Sequence, residues 1–490
     1  MRDLRENCLS APRSRWWSLA VASLATLIVT ADSGQLSIAM PLIIKDLHAD
    51  LSLASWLALV YAFVTASLYL PCGRLSDVLG VGKLFLAGFV LYSLSSFAAG
   101  MTEAALQMIF FRATQAAGSA LIMANNFALI TALFPREERG RAMGIAGGTV
   151  SALGYTLGPV LGGLLTHSFG WRANFYLSGS LAMIGFLAAR KLLPPESFKP
   201  TGDRKTSFDI TGAITFAAGI SLLMFSLALA QKGSWREPAV ALGALLAVAL
   251  FGFFIRWEKR VSFPLLDLNI FRITAFTLGN LARWFSFITM SVSNLLMPFF
   301  LQLALGLDPL LAGLLVAPTP FAMALLAPVT GWLSERFSPE RLCAVGLFVN
   351  GAALVLLAFL QTDATTFEVA TGLALLGIGM GIFQTPNNNL LMSSVPRHRL
   401  GIGSSVLSIV RSLGYSVGAT LAAMIVGHFL LIATGEMSLQ SLSEAAGIVR
   451  ETPALAAFLR GYRWAYLTAA IVAFAGAALS LWAVNSERWR

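Results

Sequence analysis

The chain has 490 residues, 57% of them hydrophobic and 12% charged, with a mean hydropathy of +0.75 and a net charge of +10. Soluble domains carry about 25% charged residues, so this composition excludes a soluble globular protein and indicates one that crosses a membrane many times. The three cysteines and four histidines share no metal-ligand or CxxC spacing. No Walker A motif or nucleophile elbow occurs either. An enzyme, a cofactor site and direct use of ATP are therefore not expected.

A membrane span needs about 20 apolar residues. The first six expected spans are residues 16–40, 52–72, 83–101, 105–133, 141–166 and 172–192. Two more follow at 209–230 and 238–257, and the last six at 274–302, 310–333, 341–361, 367–393, 401–431 and 463–485. Basic residues precede the first apolar run, as in a signal peptide, but that run (Trp16 to Met40) is too long and lacks a clear cleavage site. It is kept as the first span. Residues 432–462 are more polar and are expected to form a partly helical extracellular segment. Cys72 and Cys343 fall at or near span ends, and these two and Cys8 are read as unpaired thiols.

Basic residues orient the chain. With the N-terminus in the cytoplasm, 24 of the 34 Lys and Arg lie in inside segments and seven in outside segments, while Arg112, Arg283 and Arg411 fall within spans. The positive-inside rule then places both termini in the cytoplasm. It also accounts for the net charge as topology and attraction to anionic lipid, with no need for nucleic acid as a partner.

The chain repeats internally. Gly73-Arg74-Leu75-Ser76-Asp77 has a counterpart in Gly331-Trp332-Leu333-Ser334-Glu335, and Pro135-Arg136 to Gly140 in Pro396-Arg397 to Gly401. Gly154-Tyr155-Thr156-Leu157-Gly158 matches Gly414-Tyr415-Ser416-Val417-Gly418, so the offsets are 258, 261 and 260. A six-span unit therefore occurs twice in the same orientation. The expected units are an N-terminal six-helix bundle (1–195), a linker with two extra helices (196–264) and a C-terminal six-helix bundle (265–490). Parallel six-span repeats are a common plan of secondary transporters, with substrate held near the midplane between the halves.

Residues 140–163 carry two glycine tracks at i, i+4, i+8: Gly140, Gly144, Gly148, and then Gly154, Gly158, Gly162. At about 100° per residue the second track points roughly 120° away from the first. Glycine costs on the order of 1 kcal/mol inside a helix, and small residues every fourth position let membrane helices approach closely. Pro159 is expected to kink this helix. In the second repeat Ala419 stands where Pro159 stands in the first. The fifth helix is expected to pack against the opposite half, closely enough to prevent a leak as the halves rock.

Asp32 is the one acidic residue expected in the interior of a span, away from its ends. A carboxylate near a helix centre costs about 2.5–3.5 kcal/mol on insertion scales, and protonation is the cheapest way to reduce that. It is read as the carrier of a coupling proton or the contact for a cationic substrate, over a structural ion pair. Arg112, about 14 Å into its span, is placed to face Asp32 or to bond backbone carbonyls. Arg283 and Arg411 lie mid-span and are read as cavity candidates or as structural contacts. Asn125 and Asn126 in span four and Asn387 to Asn389 in span twelve occupy equivalent positions of the repeats. Of these, Asn125, Asn126, Asn387 and Asn388 are cavity candidates, with helix-to-helix bonding as the alternative. Asp77, after a glycine turn, is placed to cap a helix N-terminus and pair with a nearby Arg.

With these motifs the sequence resembles the major facilitator superfamily, and its extra central pair resembles the fourteen-helix drug:proton antiporter branch. The resemblance rests on Gly73-Arg-Leu-Ser-Asp77-Val-Leu-Gly80, on Arg112-Ala-Thr-Gln115-Ala-Ala-Gly118, and on Gly154-x3-Gly158-Pro159-x2-Gly162-Gly163. It extends to Gly170-Trp171-Arg172-x-Asn174-Phe175 and to Asp32 followed by Ala39-Met40-Pro41. The chain departs from the family pattern at Gly34 and Ser37, and at Val78, Val81 and Gly82. The resemblance implies an all-α fold of fourteen membrane helices, monomeric, in a bacterial cytoplasmic membrane. It implies proton-coupled export of hydrophobic or cationic small molecules, with Arg112 in proton transfer. Gly73, Asp77, Gly80, Gly154, Gly158, Pro159 and Gly162 would act as a conformational switch. Export of a lipid or amphipathic metabolite is the alternative. A membrane-embedded sensor or enzyme would need a soluble domain or a clustered catalytic set, and the sequence has neither.

Overall fold

A computed structural model describes residues 12–47, 51–200, 208–230, 237–307, 309–396, 399–434 and 453–487. Cys8 lies outside them, as does most of the expected polar segment 432–462. Long helices account for the described residues, which include no strand. They are α1 (Pro12–Asp46), α2 (Leu51–Leu79), α3 (Val81–Gly100) and α4 (Ala105–Leu133). Then α5 runs Arg136–Met143, widens into a π-helical turn at Gly144–Thr149, and continues Val150–Phe169. The chain proceeds through α6 (Arg172–Leu192), α7 (Ile210–Leu229), α8 (Pro238–Glu258) and α9 (Thr274–Phe299, with a π-helical extension Phe300–Ala304). Last come α10 (Pro309–Val316 and Pro318–Arg336), α11 (Pro339–Ala358), α12 (Thr366–Ser394), α13 (Leu400–Thr434) and α14 (Pro453–Glu487). Twelve described helices are long and apolar enough to cross a membrane by length and composition.

Local chemistry sets the boundaries. Gly80, at φ +102°, lies in a backbone region that side chains rarely enter and separates α2 from α3. Pro318 and Pro339 occupy first helical turns, where a missing N–H costs nothing. Three expectations are corrected. Span ten is two helical pieces meeting at Ala317. The last helix begins ten residues early, at Pro453, because Phe458 and Tyr462 are buried and Tyr462 stacks on Phe300 at 4.8 Å. Cys72 lies within α2, whose last turns run past the expected span end at residue 72.

The repeat is a repeat of neighbours. In the first half α1 packs on α5 and α6, α3 on α4 and α6, and α2 on α4. In the second, α9 packs on α13 and α14, α11 on α12 and α14, and α10 on α12. Two seams join the halves, α2 with α13 and α5 with α10. The inserted helices α7 and α8 pack on each other, and α7 also touches α2 and α13.

The two glycine tracks of α5 serve different partners. A Cβ at Gly140 would lie 2.5 Å from the Gly331 carbonyl, and one at Gly144 2.5 Å from that of Ala327, both on α10 of the other half. A Cβ at Gly158 would lie 2.5 Å from the Ala31 carbonyl and one at Gly162 2.7 Å from Gln35 Cα, both on α1 of the same half. Gly154 sits on Thr30 of the same helix. Only the first track meets the opposite half, which corrects the expectation that placed the whole helix there. Pro159 lies in the unbroken stretch Val150–Phe169, its ring filling the space left by the missing side chain of Gly34. The departure from α geometry falls earlier, at Gly144–Thr149, where Thr149 donates to the Ala324 carbonyl at 2.8 Å across the seam.

Candidate functional site

Three clusters gather the candidate residues. The first is buried inside the N-terminal half. Asp32 on α1 accepts from Arg112 Nη1 on α4 at 2.8 Å and from Gln115 Nε2 at 3.2 Å. Gln115 Oε1 accepts from the same Arg112 Nη1 at 2.6 Å, and Gln115 Nε2 reaches Ser96 Oγ on α3 at 2.8 Å. The guanidinium stands over the Tyr61 ring of α2, 4.5 Å from its centroid. Arg112 and Gln115 are three residues apart, on one face of α4. Both charges are almost fully withdrawn, at 4% and 2% exposure. In that low-dielectric setting each ion is costly alone. Each charge is therefore tolerated here because the other is beside it. Sequence reasoning anticipated the pairing of Asp32 with Arg112. It quoted Gln115 only within a motif and missed Tyr61 and Ser96, which are ordinary residue types on other helices.

The second cluster is a narrow cavity of about 20 Å³ between the halves, room for roughly one water. Arg283, Asn388 and Arg411, each read as a cavity candidate with a structural contact as the alternative, line it together with Phe127, Tyr155, Phe287 and Tyr415. Arg283 donates through Nε to the Leu407 carbonyl at 3.0 Å and through Nη1 to Asn388 Oδ1 at 2.5 Å, with its guanidinium 5.0 Å from the Phe287 ring centre. Arg411 faces Tyr69 and Tyr155 of the other half and Tyr415 of its own. Asn125, Asn126 and Asn387 do not line this cavity, a correction to their reading as cavity candidates. Asn125 donates to Leu121 O on its own helix, Asn126 to Thr26 Oγ1 on α1, and Asn387 to Gly279 O on α9. Asn126 and Asn387 thus tie helix to helix and Asn125 bonds within α4, while the Oδ1 of each is buried without a hydrogen-bond partner among the described residues.

The third cluster closes one end of the molecule. Asp77 sits in the last turn of α2, not at the start of a helix. Its carboxylate accepts from Gly401 N at 3.0 Å and Ile402 N at 3.4 Å, the free N–H groups that open α13 in the other half. Gly73, one turn earlier, lies against Gly401 and Ser405. Asp77 thus caps a helix, but one across the seam. The repeat provides the mirror contact, for Glu335 Oε1 accepts from Arg141 N on α5 at 3.0 Å. Sequence comparison had aligned Glu335 with Asp77 without assigning it this role.

Asp77 lies beyond the expected span 52–72, and burial pushes its carboxyl up to about 7, opposed in part by the N–H groups of Gly401 and Ile402. The closed end therefore holds its proton over a range where an exposed carboxylate, titrating near 4, has lost it. Closure has its full advantage below about pH 4, loses it progressively as the pH rises from about 4 to 7, and changes little above that. Spin labels at the exposed Lys83 and Arg341 are expected to move apart between about pH 5 and pH 8, and Asp77→Asn to flatten the change. An unaltered pH response in D77N would show that another group controls closure.

Two like six-helix halves, joined at two seams around a central cavity, define a membrane transporter. Residues 22–419 match the family model described as Major Facilitator Superfamily. The chain belongs to the major facilitator superfamily. Among its relatives is the riboflavin transporter RibZ of Clostridioides difficile (strain 630), 30% identical over 83% of this chain and 87% of that protein. Another is the tetracenomycin C resistance and export protein of Streptomyces glaucescens, 26% identical over 96% of this chain and 92% of that protein. The fold is also that of the human organic anion transporter MFSD10, with a TM-score of 0.61 at 15% identity over 96% of this chain and 98% of that one.

Proposed function

We propose that this protein is a proton-coupled antiporter of the fourteen-helix drug-exporting branch. In this reading it works as a monomer with both termini in the cytoplasm, and exports hydrophobic small molecules across a bacterial cytoplasmic membrane. The observation that carries the reading is the buried Asp32–Arg112 pair, a carboxylate and a guanidinium joined inside apolar helices. A proton arriving on Asp32 neutralises it and releases Arg112, so loading is felt directly by α1 and α4. Helix α5 packs on α1 through Gly154, Gly158 and Gly162, and its other glycine track lies on α10. Movement of α1 therefore reaches the seam. Export is also what the tetracenomycin C resistance and export protein is named for.

Hydrophobic character is supported by the aromatic lining of the central cavity. The expected preference for cations has no such support, because its described lining residues include no carboxylate. In inverted vesicles, a pH gradient is expected to drive accumulation of a hydrophobic dye, and a protonophore to abolish it. Accumulation that survives collapse of the gradient would refute proton coupling.

A further inference from the structure

We propose that the central cavity receives an aromatic compound carrying one acidic group, a carboxylate or an ionised phenol, and that Arg283 and Arg411 bind that group. The inference rests on the transporter reading and names its substrate class. Two guanidinium groups face one small space. Arg283 is held by a backbone carbonyl, an amide oxygen and the Phe287 ring, and Arg411 by a hydrogen bond to the Tyr69 phenol with Tyr155 and Tyr415 near it; none of these is a carboxylate. Arg283 is buried and Arg411 partly buried. A cation withdrawn from water without a counter-ion is costly, and a planar guanidinium matches a carboxylate or delocalised oxyanion in shape and charge. The remaining lining suits a flat ring. Phe287 and Tyr415 lie with centroids 5.4 Å apart on the C-terminal side, and Phe127 and Tyr155 face them from the N-terminal side. Contrast with the other buried arginine sharpens the point. Arg112 already has its carboxylate in Asp32, whereas Arg283 and Arg411 await one.

The two arginines have different duties. Arg283 is tied within the C-terminal half to Leu407 and Asn388. Arg411 faces phenols of both halves, so parting of the halves frees it first. The closed cavity of about 20 Å³ holds no drug-sized molecule. Binding therefore requires the halves to separate, and an anion drawn between them replaces the phenols around Arg411.

Fluorescein and rhodamine 6G share a xanthene ring but differ in charge, anionic in the first and cationic in the second. The purified full-length protein is expected to bind fluorescein, read by fluorescence anisotropy at pH 8, and to bind rhodamine 6G at least tenfold more weakly. Arg411→Gln should weaken fluorescein binding roughly tenfold or more, the range for loss of a charge-assisted hydrogen bond. Arg411→Lys, which keeps the charge, should retain most of it, and both variants are compared at equal monodispersity in size-exclusion chromatography. Equal fluorescein binding by R411Q and the unaltered protein would overturn the assignment, as would absence of fluorescein binding. Gradient-driven accumulation of rhodamine 6G without fluorescein binding would leave the antiporter reading standing and overturn this one. Arg411-dependent fluorescein binding without gradient-driven transport would uphold this one and refute proton coupling.

Discussion

Asp32→Asn is expected to abolish pH-gradient-driven uptake into inverted vesicles. The amide keeps the shape of the carboxyl but takes up no proton, so a gradient gains no hold on α1. Stability suffers as well. Removing one partner of a buried ion pair leaves the other charge uncompensated, at about 3–5 kcal/mol, here the Arg112 guanidinium at 2% exposure. The partial compensation left by Gln115 and the Tyr61 face limits that loss. A double variant, Asp32→Asn with Arg112→Gln, removes both charges and should recover much of the thermal stability while transport stays absent. That pattern separates coupling from folding. Uptake at the unaltered rate in either variant would show that the proton travels elsewhere.

Gly144→Leu and Gly158→Leu are expected to fail in different ways, although both lie on one helix. At Gly144 the added side chain meets the Ala327 carbonyl of α10 across the seam. The halves can avoid it by staying apart at the Asp77 end, so the protein should fold, show the Lys83–Arg341 label distance of the open form, and transport at least tenfold more slowly. At Gly158 the added side chain meets Ala31 within the N-terminal half, and no rocking relieves it. Overpacking of that kind costs roughly 1–3 kcal/mol, so a lowered melting temperature is the main expected effect. Similar melting temperatures and similar transport in the two variants would show that the tracks do not divide the work. The sequence-based expectation set the helix against the opposite half without dividing the partners between its two tracks.

The architecture was legible for physical reasons. Apolar runs of span length, three motif pairs at nearly constant offset and a one-sided distribution of Lys and Arg all survive as local patterns. The pairing of Asp32 with Arg112 was legible too, because two charges inside apolar helices have few ways to be tolerated. What remained hidden is which way a residue points on a helix that is apolar all round. Asn126 and Asn388 occupy equivalent spans, yet one ties α4 to α1 and the other lines the cavity. Periodicity carries no signal for that choice when every face is buried or lipid-facing. Asp77 was legible as a cap, but not the helix it caps. Its glycine-flanked position suggested a cap on the following helix, whereas the N–H groups it meets lie more than 300 residues away in sequence.

The inserted pair makes the two seams mechanically unlike. On the N-terminal side of α7, Ser221 Oγ lies 2.9 Å from Ser67 Oγ, and Phe225 stacks on Trp56 at 6.0 Å. On its C-terminal side Thr420 Oγ1 donates to the Leu227 carbonyl at 3.3 Å. The α2–α13 seam is thus strapped by a helix that grips both halves. At the α5–α10 seam Val160, Phe321 and Leu325 stand exposed, at 63%, 70% and 67%. Rocking is therefore expected to be lopsided. One edge would pivot under its strap, and the other would work like the free edge of a door, opening onto the hydrocarbon where hydrophobic solutes dissolve.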